Sequence, residues 1–374
     1  MTKKILFISG TRADFGKIKS LIKIVEGDSQ FKTTVFVTGM HLQEKYGYTL
    51  LEFEKCGITN IYTFENHTDE TTMDLTLAKT IQGLSEYVQN SKPDLIVIHG
   101  DRVEALAGAI VGSLNNILVA HIEGGEVSGT IDELIRHSTS KMSHIHFTSN
   151  DLAKKRLIQM GEIEESIFTI GSPDVDIMFS ESLPSLEVAK EYYDIHYAKY
   201  AIVMFHPVTT EHDEMQKYAE DFVEALLLDD QNYVVIYPNN DLGSSLIFEA
   251  YEQLRGSSRF KVIPSLRFEY FLTLLENADF IVGNSSAGIR EAPYYGIPII
   301  NVGSRQQNRS QHPSILNVGY NKFDIYEALQ EKKVKTAITT TDNFGDGNSA
   351  EAFLEALQSD GLWEVNRQKQ FRDI

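Results

Sequence analysis

Lys3-Lys4-Ile5-Leu6-Phe7-Ile8-Ser9, followed by Gly10-Thr11-Arg12-Ala13-Asp14-Phe15-Gly16, decides the fold. The first seven residues read as a short buried strand, the glycine as a tight turn, and the stretch from about Phe15 as a helix. The same unit recurs downstream. Thr33 to Val37, Asp94 to Ile98 just after Pro93, Ile117 to Ile122, His144 to Thr148 and Ile167 to Ile170 are short apolar runs separated by amphipathic stretches of helix length. Strands alternating with helices imply parallel βαβ units wound on both faces of a sheet. The pattern pauses between Gly171 and Ala198, a stretch with Pro173, Pro184 and a helix-like piece from Leu186 to Tyr193. It restarts with Tyr200 to Phe205, Tyr233 to Tyr237, Phe260 to Ile263, Phe280 to Val282 and Pro298 to Val302. The expected fold is α/β: two Rossmann-like domains facing across a cleft, with parallel sheets and helices on both faces. Residues 1–172, with a C-terminal helix at about 350–374 packing back, form the first. Residues 173–349 form the second, and Thr339 to Ser349 reads as a loop.

Composition narrows the function. A chain of 374 residues suits two domains, and 42% hydrophobic residues suffice for two cores. The formal net charge of -19 repels phosphate backbones, so no nucleic-acid partner is expected. Local arginines can still hold a small phosphorylated ligand against that field. Cys56 is the sole cysteine, which excludes an intrachain disulfide and any multi-cysteine zinc site. The apolar run Ile5 to Ile8 is too short for a signal-peptide core or a membrane span. A cytoplasmic protein without a membrane partner is expected.

In open α/β sheets ligands bind beyond the carboxyl ends of the strands. Those positions hold Gly10-Thr11-Arg12, His99-Gly100-Asp101-Arg102, Glu123-Gly124-Gly125-Glu126, His206-Pro207, Pro238-Asn239-Asn240-Asp241 and Gly283-Asn284-Ser285-Ser286. Gly10-Thr11-Arg12 reads equally well as an anion-binding turn or as a tight turn with a solvated arginine. It matches neither G-x-G-x-x-G nor a Walker loop, so neither NAD nor ATP is implied. Ser285 and Ser286 open a helix expected to run to Glu291, which suits a phosphate at its N-terminus, a reading that ranks ahead of ordinary serine capping. Asp101 and Glu123 end buried strands, where a charge is costly without a role. Asp132, by contrast, reads as structural, because an acid at a helix start suits the dipole and Arg136 lies four residues on. His99, His121 and His206 permit a metal site, but no H-x-x-x-H or H-E-x-x-H spacing supports one, and no metal or cofactor is expected. His206, Arg12, Arg102 and Arg309 can offset the charge of a diphosphate.

Taken together, Thr11 to Gly16, Val37-Thr38-Gly39-Met40-His41, His99 to Arg102, His121 to Glu126, Ile135-Arg136-His137-Ser138, Phe205 to Thr209, Tyr237 to Asp241 and Gly283 to Glu291 resemble the hydrolysing UDP-N-acetylglucosamine 2-epimerases of bacterial sialic-acid (capsule) biosynthesis. The matches run in order from residue 11 to about 309. The resemblance implies a fold like the two-domain GT-B glycosyltransferases and a homodimer or homotetramer. It implies uridine diphosphate contacts at Arg12, His206, Asn239, Ser285, Ser286, Glu291 and Arg309, and Arg102 and Asp241 join them as candidate substrate-binding residues. It places the catalytic acids at Asp101, Glu123 and Asp132, overriding the structural reading of Asp132. The implied reaction releases UDP and free N-acetylmannosamine, the first step of sialic-acid synthesis, through a 2-acetamidoglucal. A hydrolysing epimerase of UDP-N,N'-diacetylbacillosamine, a non-hydrolysing epimerase that re-adds UDP, a glycosyltransferase and a non-catalytic UDP-sugar binder are the rival readings.

Overall fold

The structure is a computed structural model that describes residues 2–67, 72–128, 131–181, 183–307, 312–331 and 344–372. Arg309, Gly129, Thr130 and residues 339–343 of the expected loop lie outside the described residues. The chain divides into two compact units, one spanning Met1–Val127, Asp132–Ser180 and Asp342–Ile374, the other Ser128–Ile131 and Glu181–Thr341.

Unit 1 holds a seven-stranded sheet: β1 (Lys3–Ser9), β2 (Phe31–Val37), β3 (Ile61–Thr63), β4 (Leu95–His99), β5 (Leu118–Ile122), β6 (Ile145–Thr148) and β7 (Ile167–Thr169). Their order is β3-β2-β1-β4-β5-β6-β7, and every pairing is parallel. The alternation along β1 shows why both faces are covered. Ile5 and Phe7 pack with helix Arg12–Glu26 and with Phe353 and Leu357 of helix Ser349–Gln358. Leu6 and Ile8 pack on the opposite face with helices Met73–Ser91 and Val103–Leu114. A strand buried on both sides loses the polar alternation of a surface strand, hence the continuous apolar runs in the sequence. Phe353 is fully buried against Phe7 and Phe147. Truncating it to alanine would cost about 3–5 kcal/mol.

Unit 2 repeats the plan with six parallel strands: β8 (Ala201–Met204), β9 (Tyr233–Ile236), β10 (Phe260–Ile263), β11 (Ile281–Gly283), β12 (Ile299–Val302) and β13 (Ile315–Val318), ordered β10-β9-β8-β11-β12-β13. Its core gathers Ala201, Val203 and Phe205 with helices Met215–Leu228, Ser244–Tyr251 and Lys322–Glu331. Among the described residues no helix is long and apolar enough to cross a membrane.

Three expectations need correction. The first helix starts at Arg12, not near Phe15, because the Thr11 hydroxyl accepts from the Asp14 amide (3.1 Å) and caps it. The helix after Ser286 is a single turn, Ala287–Arg290, followed by a 3-10 turn at Ala292–Tyr295. Pro293 lacks an amide hydrogen and disfavours helical backbone at the residue before it. The last helix stops at Gln358, where Ser359 is extended and only a short turn, Asp360–Trp363, follows. The polar chain beyond it is tied down by its own contacts. Lys369 Nζ donates to the carbonyls of Lys141 (2.9 Å) and Ser143 (2.6 Å) and to the Glu162 carboxylate. It thereby caps the C-terminal end of helix Ile131–Met142 with a cation.

Candidate active site

Both sheets change winding direction at one point: between β1 and β4 in unit 1, and between β8 and β11 in unit 2. The polar segments that the sequence singled out follow these strands, where crossovers diverge and leave a crevice.

In unit 1, β4 and β5 are in register with His99 opposite Ile122, so Asp101 and Glu123 emerge from adjacent strand ends. Glu123 sits at φ 62, in the left-handed region. For a residue with a side chain this conformation costs about 1–3 kcal/mol and persists only where the surroundings impose it. Here the turn directs the carboxylate back at His99. Glu123 Oε2 lies 3.1 Å from His99 Nε2, and Glu123 Oε1 accepts from the Ser172 hydroxyl. The other ring nitrogen, His99 Nδ1, lies 3.4 Å from Asp14 Oδ1. Burial pulls the His99 pKa down, but Glu123 and Asp14 outweigh it and raise it to about 9.

Gly124 lets the turn form at close quarters: a Cβ there would stand 2.8 Å from Ser140 Oγ and 2.9 Å from His121 Nδ1, the two atoms of a hydrogen bond. His121 Nε2 meets the Gly100 carbonyl at 2.7 Å. Burial pushes the His121 pKa down to about 3, so it is a neutral strut.

Helix Ile131–Met142 brings Asp132 and Arg136 to the same edge. The Arg136 guanidinium donates to the Glu123 carbonyl (2.7 Å) and to the Asp101 carboxylate. The residue expected to serve Asp132 thus also ties the other two acids together. Asp132 is nine-tenths buried one helical turn before it. Arg102 is the N-cap residue of helix Val103–Leu114, directly after Asp101, and Arg12 Nη2 lies 3.8 Å from Glu52 Oε1.

In unit 2 the edge is centred on a clamp of neutral groups. The backbone amide of His206 donates to Asn284 Oδ1 (2.7 Å), and Asn284 Nδ2 donates to the His206 carbonyl (2.8 Å). The Asn239 amide donates to His206 Nδ1 (3.0 Å), which places the ring proton of neutral His206 on Nε2. The Asn239 side-chain amide donates to the Asp241 carboxylate. Gly283, at φ 135, is required: a Cβ there would fall 2.0 Å from the Met204 carbonyl oxygen. Ser285 Oγ accepts from the Ala287 amide (3.3 Å), and Glu291 is buried just after the short turn. Since one turn carries little macrodipole, a phosphate here would rely on serine hydroxyls and local amides. The Asn284 carbonyl accepts from Gln306 (3.0 Å) and Arg305 (3.3 Å).

The structure therefore collects Asp101, Glu123 and Asp132 at one edge of unit 1, and His206, Asn239, Asp241, Ser285, Ser286 and Glu291 at one edge of unit 2. Sequence reasoning about single residues passed over Asp14, Ser172, Asn284 and Gln306 as contributors to these edges. Asp14 and Asn284 stood inside quoted motifs, and only their contacts reveal their use. Ser172 and Gln306 carried no signal.

A family model for UDP-N-acetylglucosamine 2-epimerases matches residues 23–358. The chain is 48% identical over 375 residues to the UDP-N-acetylglucosamine 2-epimerase of Neisseria meningitidis serogroup B, covering 100% of this chain and 99% of that protein. It is 33% identical over 365 residues to the hydrolysing UDP-N,N'-diacetylbacillosamine 2-epimerase of Legionella pneumophila, covering 96% of each. A crystal structure of the UDP-GlcNAc 2-epimerase of Methanocaldococcus jannaschii, in complex with UDP-GlcNAc and UDP, shares the fold with a TM-score of 0.80 at 23% identity, over 95% of this chain and 99% of that one. With a matching family model over most of its length and a full-length relative at 48% identity, the chain belongs to the UDP-N-acetylglucosamine 2-epimerase family.

Proposed function

We propose that this protein is a hydrolysing UDP-N-acetylglucosamine 2-epimerase, converting UDP-N-acetylglucosamine and water to UDP and N-acetylmannosamine, a precursor sugar of sialic acids. The observation that carries the reading is the acid cluster at the β4–β5 edge, with Asp101 and Glu123 both tied to Arg136 and Glu123 held between His99 and Ser172. Such an arrangement suits proton transfer at carbon.

A carboxylate of this cluster removes the hydrogen from C-2 while the bond from C-1 to the UDP oxygen breaks. The electron pair of the C–H bond becomes the C-1=C-2 double bond of a 2-acetamidoglucal, and UDP leaves with the pair from C-1–O. Water then adds its hydroxyl to C-1, and a proton reaches C-2 from the opposite face. Two proton transfers on two faces call for more than one acid/base group, and Asp101, Glu123 and Asp132 supply them. In unit 2, His206, Asn239, Asp241, Ser285, Ser286 and Glu291 bind the nucleotide. The Nε2–H of His206, the serine hydroxyls and the arginines Arg12, Arg102 and Arg309 stabilise the departing diphosphate. The hydrolysing branch is supported by the Glu123-Gly124-Gly125-Glu126 segment and by the Legionella relative.

That relative also motivates the second reading, in which the substrate is UDP-N,N'-diacetylbacillosamine. Proton NMR with UDP-N-acetylglucosamine in deuterated water distinguishes the two. UDP and N-acetylmannosamine deuterated at C-2 are expected. An unchanged spectrum, with turnover of the diacetylbacillosamine nucleotide instead, sinks the first reading. Return of UDP-N-acetylmannosamine without free sugar moves the protein to the non-hydrolysing branch.

A further inference from the structure

We infer that Asp14 is a positioning residue of this site: through His99 it holds Glu123 as an ionised, correctly aimed base for the C-2 hydrogen. The inference rests on the epimerase reading above and adds a member to its machinery.

The geometry is a chain of four groups within unit 1. Asp14 Oδ1 faces His99 Nδ1 at 3.4 Å, His99 Nε2 faces Glu123 Oε2 at 3.1 Å, and Glu123 Oε1 accepts from Ser172 Oγ. A neutral imidazole carries one N–H and one lone pair. One carboxylate oxygen lies within hydrogen-bond reach of Nδ1 and another at ion-pair distance from Nε2, out of line for a hydrogen bond, so a neutral ring would leave both carboxylates without a counter-charge. Only the imidazolium supplies a positive charge that offsets both carboxylates. The ring is buried, so that charge persists only because two carboxylates share it.

Asp14 is fixed from its own side. It lies in the first turn of helix Arg12–Glu26, and its amide donates to the Thr11 hydroxyl. The other ionisable groups around the ring are few. His121, on the neighbouring strand, is neutral, with its pKa pushed down to about 3 by burial. Arg136, on helix Ile131–Met142, is committed to Asp101 and to the Glu123 carbonyl. The positive charge on His99 is therefore set by Asp14 and Glu123, in agreement with a pKa raised to about 9 despite burial.

Removing the charge of Asp14 leaves burial opposed by a single carboxylate. Below its pKa His99 is protonated and Glu123 stays fixed; above it the ring loses a proton and Glu123 loses its counter-charge. Activity should fall as pH rises through about 9 in the wild type. In Asp14→Asn that alkaline limb should move toward neutrality by roughly one to two pH units. At pH 8 kcat should drop about two- to tenfold with KM changed less than about 1.5-fold, and lowering the pH to 6.5 should recover most of the loss. A general weakening of the fold would not be repaired by acid.

The experiment is the pH profile of kcat and KM for wild type and Asp14→Asn with UDP-N-acetylglucosamine, alongside a nitrogen-15 NMR titration of the His99 ring in the ligand-free protein. An active wild type whose alkaline limb is unmoved in Asp14→Asn overturns the role of Asp14 and leaves the epimerase reading standing. A wild type inactive on the nucleotide sugar removes that reading, and the inference with it. If Asp14→Asn does not fold, the wild-type titration decides: a ring doubly protonated to about pH 9 supports the inference, and one that loses its proton below pH 7.5 overturns it.

Discussion

The two strand-end edges of this protein are built on the same topology and from opposite chemistry. At the β4–β5 edge of unit 1 the groups are ionic: carboxylates of Asp14 and Glu123 on the His99 ring, and Asp101 on Arg136. At the β8–β11 edge of unit 2 the central clamp is neutral: Asn284 brackets the backbone of His206, and the Asn239 amide orients its ring. An amide clamp fixes where a side chain points and which tautomer it shows, without setting a charge. An ionic network fixes charge as well as position, at the cost of desolvating every member. The first suits holding a ligand. The second suits moving a proton, because protonation states are what it controls.

If that division is correct, substitutions at the two edges should separate chemistry from binding. The largest effect is expected for Glu123→Gln, which keeps shape and removes the proposed base: kcat should fall about 10²–10⁴-fold. UDP affinity measured by calorimetry should stay within about threefold; a parallel collapse of UDP binding would break the comparison. His206→Ala should do the reverse in kind, weakening UDP by about tenfold, or about 1.4 kcal/mol, through loss of one oriented donor.

Lys369→Met comes next. It leaves Glu162 buried with one partner fewer and should lower unfolding stability by about 1–3 kcal/mol. Its signature is in acid. Burial alone would raise the Glu162 carboxyl, but His146 and Lys369 outweigh that and hold it at about 2. The stabilisation from Glu162 is thus present above the ordinary carboxylate range and is lost as pH falls toward 2. In Lys369→Met that loss should begin at higher pH in thermal melts, with UDP affinity unchanged. Smallest is Lys154→Ala, which breaks a partly exposed ion pair with Glu164 on unit 1. Less than about 1 kcal/mol should change, and a kinetic effect there would show that the edge is less insulated than its contacts imply.

The sheet plan was legible in the sequence because buried parallel strands are written as continuous apolar runs. Leu95–Ile98 and Leu118–Ala120 are such runs. β3 and β13 were missed for the converse reason. Ile61–Thr63 has three residues at the sheet edge, two of them exposed, and Ile315–Val318 lies at the other edge with none buried. Short edge strands carry no periodic signal. The strand-end rule brought forward Asp101, Glu123, His206, Asn239 and Ser285, since position alone marks them. It could not show that Arg136 would reach two other strand ends, or that Ser172 would find Glu123 49 residues away. Those pairings depend on how crossovers pack, and spacing along the chain does not encode that. Asp132 shows the limit most clearly: helical spacing offered it an ordinary structural explanation, and only the resemblance argued otherwise.

Phe353, Leu357 and Lys369 have a consequence in the order of synthesis. The core of unit 1 includes the first two, and the helix that carries Asp132 and Arg136 is capped by the third. On the ribosome, unit 1 emerges up to Ser180 first, yet these pieces follow only after all of unit 2. At about 5–20 residues per second, the wait is on the order of 10–40 s. Throughout it Phe7 and Phe147 lack the aromatic ring that closes over them. Unit 2 is thus synthesised whole while unit 1 still waits for part of its core and for the cap on helix Ile131–Met142, so the half with the acid cluster is the later of the two to be completed.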